Sequence, residues 1–269
     1  MLSKRNIVFW SPEPGQTGTT SNIIAVAILA ALSMGKKVCL TQTHYNNRTL
    51  ESALLGRGVN QEILEDMGID FLLKSSKAFA IDKNVIENAS FTLLKGLHIL
   101  PGTTKINEQL YEEDFISNRA YIYDALSRSF DIVFTDVSSG DNKLSKELMQ
   151  SADKVVVNLN QNDKLIQYYI NNFDYLKDKA VYLLGNYHGE SRYNLQNIKR
   201  CYPFLKKKIS TIPFDVNYMD YFNDGKVIPF FLKNTLATRE DDRNFFEHVK
   251  NSLKFILRIC LDKEEEMCC

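Results

Sequence analysis

A strand, a glycine-bearing loop and a long apolar helix follow one another within residues 1–35, and that succession constrains the fold more than any other feature. Asn6-Ile7-Val8-Phe9-Trp10 is a β-rich apolar run, and Ser21 to Met34 reads as a helix ending at Gly35. Between them runs Ser11-Pro12-Glu13-Pro14-Gly15-Gln16-Thr17-Gly18-Thr19-Thr20-Ser21-Asn22. Strand, glycine loop and helix make the phosphate-binding arrangement. Loop N–H groups and the positive end of the helix face an anion, and a threonine hydroxyl reaches a magnesium ion. Gly15, Gln16, Thr17, Gly18, Thr19 and Thr20 are the residues placed for this task, with Thr19 as the hydroxyl on the metal. The loop contains no lysine, so the ammonium that ordinarily reaches the β- and γ-phosphates is missing, and Gly18 stands just before the Thr-Thr pair.

Along the rest of the chain short apolar strands alternate with helical segments, which predicts an α/β fold with a mostly parallel central sheet covered by helices on both faces. Strands are expected at Lys37 to Thr41, Phe91 to Leu94, Leu97 to Leu100, Ile132 to Asp136, Val155 to Asn158, Val181 to Asn186 and Ile209 to Ile212. Helical pieces are expected over Leu50 to Ala89, Asn118 to Ser129, Lys143 to Ala152, Ile166 to Leu176 and Asp241 to Leu261. No repeat and no linker interrupts this order, so residues 1–269 are expected to form a single domain.

Composition narrows the function classes. The chain is 44% hydrophobic and 25% charged, and its 33 basic and 33 acidic residues cancel, so no global field draws it to nucleic acid or to an acidic membrane. Lys199, Arg200, Lys206, Lys207 and Lys208 still cluster in one segment, and Lys250, Lys254 and Arg258 recur at helical spacing. A solvated face explains such runs as well as a DNA-binding patch does. The longest apolar run, Ile23 to Leu32, is shorter than the ~20 residues a membrane span needs. Cys39, Cys201, Cys260, Cys268 and Cys269 show no metal-ligand spacing, and the absence of a signal segment predicts a reducing, cytoplasmic location. The Cys268-Cys269 pair carries no lipidation motif and reads as a frayed tail.

Asp136 stands out among the charged residues. It ends the run Phe130-Asp131-Ile132-Val133-Phe134-Thr135-Asp136, ahead of Val137-Ser138-Ser139-Gly140, at the strand terminus where open α/β sheets bind ligands. A carboxylate there suits magnesium, which prefers oxygen ligands and keeps several waters. A helix cap or turn aspartate is the alternative.

Together these segments resemble the ParA/MinD superfamily of deviant Walker-A ATPases over most of the chain. Against the family's Lys-Gly-Gly-x-Gly-Lys-Thr-Thr, the loop offers Glu13-Pro14-Gly15-Gln16-Thr17-Gly18-Thr19-Thr20. Further matches are Phe130 to Gly140, Leu100-Pro101-Gly102, the strand ending at Asn186, and Ile212-Pro213-Phe214-Asp215 followed by Gly225-Lys226-Val227-Ile228. The resemblance implies ATP and Mg2+ as ligands, a sandwich homodimer, and Asn186, Pro213 and Asp215 against the adenine.

The departures are as informative as the matches. Glu13 matches the lysine that crosses the family's dimer interface, Gly18 matches the phosphate-loop lysine, and Thr41 and Thr43 match aspartates that orient water and contact magnesium. Hydroxyls do not act as bases near neutral pH, and lost cationic charge removes stabilisation of the transferred phosphoryl group. Hydrolysis is therefore expected to be very slow or absent. Lys143, just beyond the acidic strand motif, is a candidate to compensate.

A loop lacking these lysines resembles the TadZ/CpaE branch, atypical members that position Flp pilus machinery. Members of that branch often carry an N-terminal receiver-like domain, whereas this chain starts directly at its first strand. The acidic tail from Leu261 to Met267 speaks against a MinD-like membrane helix, which would place basic residues opposite an apolar face. Three expectations follow: a dimeric localisation or assembly factor for a pilus, secretion or conjugation machine, recruited to a membrane-associated complex; a slow ATPase switch in partition or positioning; or a nucleotide-free interaction scaffold.

Overall fold

The apolar runs assemble into one eight-stranded sheet of order β3-β4-β2-β5-β1-β6-β7-β8. The computed structural model describes residues 5–45, 47–56, 64, 66–78, 80–234 and 240–265. The strands are β1 Arg5–Trp10, β2 Val38–Gln42, β3 Phe91–Leu94, β4 Leu97–Leu100, β5 Ile132–Asp136, β6 Lys154–Leu159, β7 Ala180–Tyr187 and β8 Ile209–Pro213. All neighbouring pairs are parallel except β3 with β4, a short antiparallel hairpin that closes one edge.

Successive strand residues point to opposite faces, and both faces are buried, which is why β1, β2, β5 and β6 are apolar through their middles, with polar residues at or near their ends. On one face Ile7, Phe9, Leu40, Phe134, Val156 and Leu183 meet α1 (Thr19–Met34), α2 (Thr49–Leu55) and the C-terminal helices. On the other, Val8, Trp10, Cys39, Val133, Val157 and Tyr182 meet the remaining helices. These are α3 (Gly68–Ala78), α4 (Lys83–Ala89), α5 (Glu108–Ser129), α6 (Lys143–Ser151), α7 (Asp163–Asn172) and α8 (Leu195–Cys201). Helix α1 is enclosed over Ser21 to Ala31, which accounts for its all-round apolar sequence.

Helices α9 (Val216–Asn223), α10 (Val227–Asn234) and α11 (Glu240–Glu265) complete the first layer. An aromatic cluster joins them: Tyr218 lies 4.9 Å from Phe245 and 5.5 Å from Phe230, centroid to centroid. The Tyr218 hydroxyl donates to the Ser21 carbonyl at 2.6 Å, tying this cluster to the first turn of α1.

Several segments differ from their sequence-based expectations. The region from Leu50 to Ala89 holds its expected helical pieces as α2, α3 and α4, whereas the segment from Ile166 to Leu176 splits into α7 and a 3-10 turn at Asp174–Leu176. Helix α5 begins ten residues earlier than Asn118, at Glu108, where the Asn107 side chain accepts the Leu110 N–H at 3.0 Å. Its first half is rich in acidic residues and lacks a clear apolar stripe, so periodicity did not mark it. Helices α8, α9 and α10 were not singled out in the sequence. The Cys268-Cys269 pair lies outside the described residues, and α11 extends through part of the acidic tail to Glu265.

The loop after β1 is held by distant parts of the chain. Asn22, buried in α1, donates to the Thr17 carbonyl at 3.2 Å and to Asn158 Oδ1 at 3.0 Å, so the end of β6 grips the loop through one amide. Asn158 in turn donates to the Val156 carbonyl at 3.1 Å and the Trp10 carbonyl at 3.4 Å. At the end of β7 the chain passes so close to the loop that a Cβ on Gly185 would sit 2.0 Å from the Thr17 carbonyl oxygen.

Two substitutions test this support. Gly185→Ala forces the loop and β7 apart and is expected to lower stability by about 1–3 kcal/mol in urea unfolding, while Gly189→Ala, whose nearest neighbour would be 3.9 Å away, leaves the midpoint unchanged. Asn22→Ala leaves the Thr17 carbonyl and Asn158 without their shared donor and is expected to cost about 1–3 kcal/mol. Faster amide exchange confined to residues 15–20 would accompany it; uniform destabilisation without local exchange would show that Asn22 does not anchor the loop.

Candidate functional site

The strand order turns at β1, which lies between β5 and β6, and the carboxyl ends of these strands form the edge where such sheets hold ligands. Trp10 and Gly140 lock the two loops that leave this edge: the indole N–H donates to the Gly140 carbonyl at 3.0 Å, and the Gly140 N–H donates to the Ser11 carbonyl at 3.0 Å. The loop from Ser11 to Gly18 then opens a cleft of about 390 Å³, lined by Pro14, Gly15, the Thr17 to Ser21 turn, His44, Asn47, Thr49, Ser139, Met219 and Phe222.

Gly18 is the N-cap of α1 and has φ 66°, a left-handed conformation in which a side chain would be strained and would also press on Ser21 Oγ at 3.0 Å. No side chain caps the helix, so the first-turn N–H groups of Thr19, Thr20 and Ser21 have no intrahelical acceptor and border the cleft. That is the electrostatic arrangement for an anion: aligned N–H donors at the positive end of a 16-residue helix. Glu13 turns aside at the loop tip, where its Oε2 accepts from Gln16 Nε2 at 2.7 Å.

Asp136 is fully buried at the end of β5. Its Oδ2 accepts a 2.6 Å hydrogen bond from Thr20 Oγ1, whereas Thr19 Oγ1 pairs with Thr17 Oγ1 at 2.9 Å. Of the two threonines, Thr20 and not Thr19 is the one bonded to the acidic strand end. The cause is the helix start, since Thr19 opens α1 and directs its hydroxyl back across the loop.

The second strand brings a residue that the sequence reading passed over. Thr41 and Thr43 are buried, while His44, two residues beyond β2, lines the cleft and places Nε2 3.4 Å from Asp136 Oδ1. Burial alone would push the imidazole down, but the Asp136 carboxylate, and then Glu51, outweigh it and hold it above its ordinary value. Glu51 sits behind β2, accepting from the Gly102 N–H at 2.7 Å and from Gln42, and its burial pushes the carboxyl up. Lying in the loop just past an apolar strand, His44 has no signal of its own in the sequence; only the approach of β2 to β5 reveals it.

The expected adenine contacts are not gathered at this cleft. Asn186, left-handed at φ 49°, is exposed and turns its amide to the Gln16 carbonyl at 3.5 Å. Pro213 ends β8 paired with Tyr187, and Asp215 caps α9 by accepting the Tyr218 N–H at 2.6 Å. None of the three lines the cleft; Met219 and Phe222 supply its apolar wall instead. Lys143 is exposed in the first turn of α6, where it acts on Glu112, and it also lies outside the lining. The basic segment divides between the end of α8, with Lys199 and Arg200, and the turn entering β8, with Lys206 to Lys208. That turn is at the amino end of its strand, away from the loop edge.

Among the described residues, no group of three or more His, Cys, Asp or Glu side chains is arranged to hold a metal ion, and no helix is long and apolar enough to cross a membrane. The orphaned Asp136 Oδ1 and the uncapped N–H groups nevertheless fit a cation–phosphate pair.

No protein-family model matches the chain, and neither does any curated protein sequence. Its backbone is similar to solved structures. MinD from Pyrococcus horikoshii OT3, complexed with Mg-ADP, superposes with TM-score 0.71 at 16% identity, covering 96% of this chain and 98% of that one. A ParA family ATPase from Chlorobium tepidum TLS gives TM-score 0.71 at 13% identity over 93% of this chain and 98% of that one. The Aquifex aeolicus MinC:MinD complex gives 0.67 at 18% identity over 93% and 96%. Eight strands in a mostly parallel sheet, helices on both faces and a loop-to-helix cradle beside β1 thus give this chain the fold of the MinD and ParA P-loop proteins.

Proposed function

We propose that this chain is a dimeric member of the MinD/ParA group that holds ATP and a divalent cation but hydrolyses the nucleotide very slowly or not at all, and that it localises or assembles a pilus, secretion or conjugation machine. The observation that carries the reading is the Thr20–Asp136 hydrogen bond beneath a loop with no ammonium group. A phosphate loop runs Gly-Lys-Ser/Thr, with the hydroxyl residue on the metal. Because Thr20 is the hydroxyl joined to Asp136, Gly18-Thr19-Thr20 fills that sequence, and Thr19 replaces the lysine. In the same register Pro14, rather than Glu13, replaces the lysine that crosses the family's dimer interface.

The loop N–H groups of Gly15 to Thr20 would hold phosphate oxygens, Thr20 and Asp136 would hold the cation, and Met219 with Phe222 would cover the apolar part of the ligand. A bound cation would neutralise phosphate charge during transfer. The chain itself has two neutral side chains, Thr19 and Pro14, where the family places cations. A single cationic side chain on a transferring phosphoryl group can be worth about 10³–10⁵ in rate, which is why retention is favoured over turnover. The Mg-ADP carried by the Pyrococcus horikoshii MinD supports a nucleotide as the ligand class, and the MinC:MinD complex supports a protein partner.

Titration calorimetry with Mg-ATP is expected to show saturable binding while phosphate release stays at background. Thr20→Ala should weaken magnesium-dependent binding by about tenfold, the loss of one hydrogen bond to a charged group, and Thr19→Ala should weaken it less. Turnover that disappears in Asp136→Ala would instead indicate a slow switch, and no heat at millimolar Mg-ATP would indicate a nucleotide-free scaffold.

A further inference from the structure

The chain enters β7 and β8 through the same turn twice. Helices α7 and α8 each end on an aromatic residue whose N–H donates back into the helix, Phe173 to the Tyr169 carbonyl at 2.9 Å and Tyr202 to the Ile198 carbonyl at 2.8 Å. A 3-10 turn follows in both places, Asp174–Leu176 and Pro203–Leu205, and in both the leucine N–H closes on the aromatic carbonyl at 3.0 Å. Aligned on that turn, Phe173-Asp174-Tyr175-Leu176-Lys177-Asp178-Lys179 matches Tyr202-Pro203-Phe204-Leu205-Lys206-Lys207-Lys208. The last lysine of each has the same role. Lys179 Nζ donates to the Ala152 carbonyl at 3.0 Å and Lys208 Nζ to the Lys177 carbonyl at 2.8 Å, so each turn is tied to the strand entry before it.

Because β7 and β8 are hydrogen-bonded neighbours, ~4.8 Å apart, the two turns lie side by side. Tyr175 and Phe204, the middle residue of each, are 50% and 42% exposed. Neither ring is loose: Tyr175 leans on buried Phe173 with centroids 6.3 Å apart, and Phe204 leans on buried Tyr182 at 5.6 Å. Rings already fixed by their neighbours lose little freedom when a flat group stacks on them. The charge around them is one-sided, since the segment from Asn160 to Lys208 carries nine basic residues against four acidic ones in a chain whose total is neutral. In the first turn Asp174 neutralises Lys177 at 2.9 Å. In the second, Pro203 and Lys207 replace Asp174 and Asp178, which leaves Lys206 and Lys207 exposed in a turn without an acid.

We propose that the twin turns form a binding surface for single-stranded nucleic acid, with bases stacking on Tyr175 and Phe204 and backbone phosphates following Lys206, Lys207 and Arg200. Non-specific binders of single strands combine these two elements, because every base has a flat face and every linkage a charge. A duplex hides its base faces and would use the lysines alone. An acidic peptide would likewise leave the paired rings without a role. The surface is at the amino ends of its strands, opposite the cleft, so it neither uses nor blocks the proposed nucleotide site, and its test contains no ATP.

The full chain is titrated into fluorescein-labelled oligo-U and oligo-dT of about 12 nucleotides, within the site sizes such surfaces cover, and anisotropy is read from about 50 mM salt upward. Saturable binding that weakens with salt is expected; either strand supports the surface, and the tighter of the two names its polymer. Tyr175→Ala and Phe204→Ala should each weaken binding by about 5- to 100-fold, the worth of one stacked base, with the salt slope unchanged. Lys206→Gln combined with Lys207→Gln should lower that slope by roughly 1.4, as for two phosphate contacts on a single strand. Tyr193→Ala, an exposed ring outside the turns, should change nothing. Circular dichroism checks the fold of each variant, and where Phe204→Ala unfolds, Phe204→Leu keeps an apolar contact with Tyr182 while removing the stack. No binding of either strand, affinity untouched by both ring changes, or equally tight binding of a duplex or of polyglutamate would each overturn the proposal and leave a solvated basic face.

Discussion

The hydrogen bond from Thr20 to Asp136 joins the loop after β1 to the end of β5, and the geometry of the edge follows from it. A buried carboxylate needs partners, and this one draws the first turn of α1 and the end of β2 toward the same point. The sheet makes such convergence possible: β1 is bonded on both sides and covered on both faces, so its polar outlets are at its ends. Apolar burial builds the platform, and a few polar atoms choose what happens at its rim.

Backbone donors and side-chain charge are separate contributions at this rim. Backbone N–H groups and a helix end depend on chain geometry, and the left-handed Gly18 preserves that geometry without a lysine. Charge at the same rim depends on side chains, and the loop from Ser11 to Gly18 carries none that is basic.

Most of the sheet was legible from apolar runs because strands buried on both faces cannot hide their composition: β3, β4 and β5 have the very limits their sequences suggest, and the other strands differ by a residue or two. Helix α5 was shortened because charge masked its first three turns, and α8 to α10 are too brief for periodicity to register. The loop after β1 was legible from its glycines, but spacing does not say which of Thr19 and Thr20 bonds Asp136. His44 was invisible for a stricter reason. Its role comes from parallel pairing of β2 with β5, which brings Gln42 beside Asp136, and no local pattern encodes that pairing.

The bond between Asn22 and Asn158 spans 136 positions in sequence, and that between Tyr218 and Ser21 spans 197. The residues that form the cradle are made first, but the residues that hold it in shape are made late. During synthesis the loop emerges long before β6, β7 and α9 can restrain it, and non-local contacts of this kind close late and slowly. A nascent chain thus acquires its sheet in stages and the final shape of the loop after β1 only near the end, when nearly the whole fold is in place.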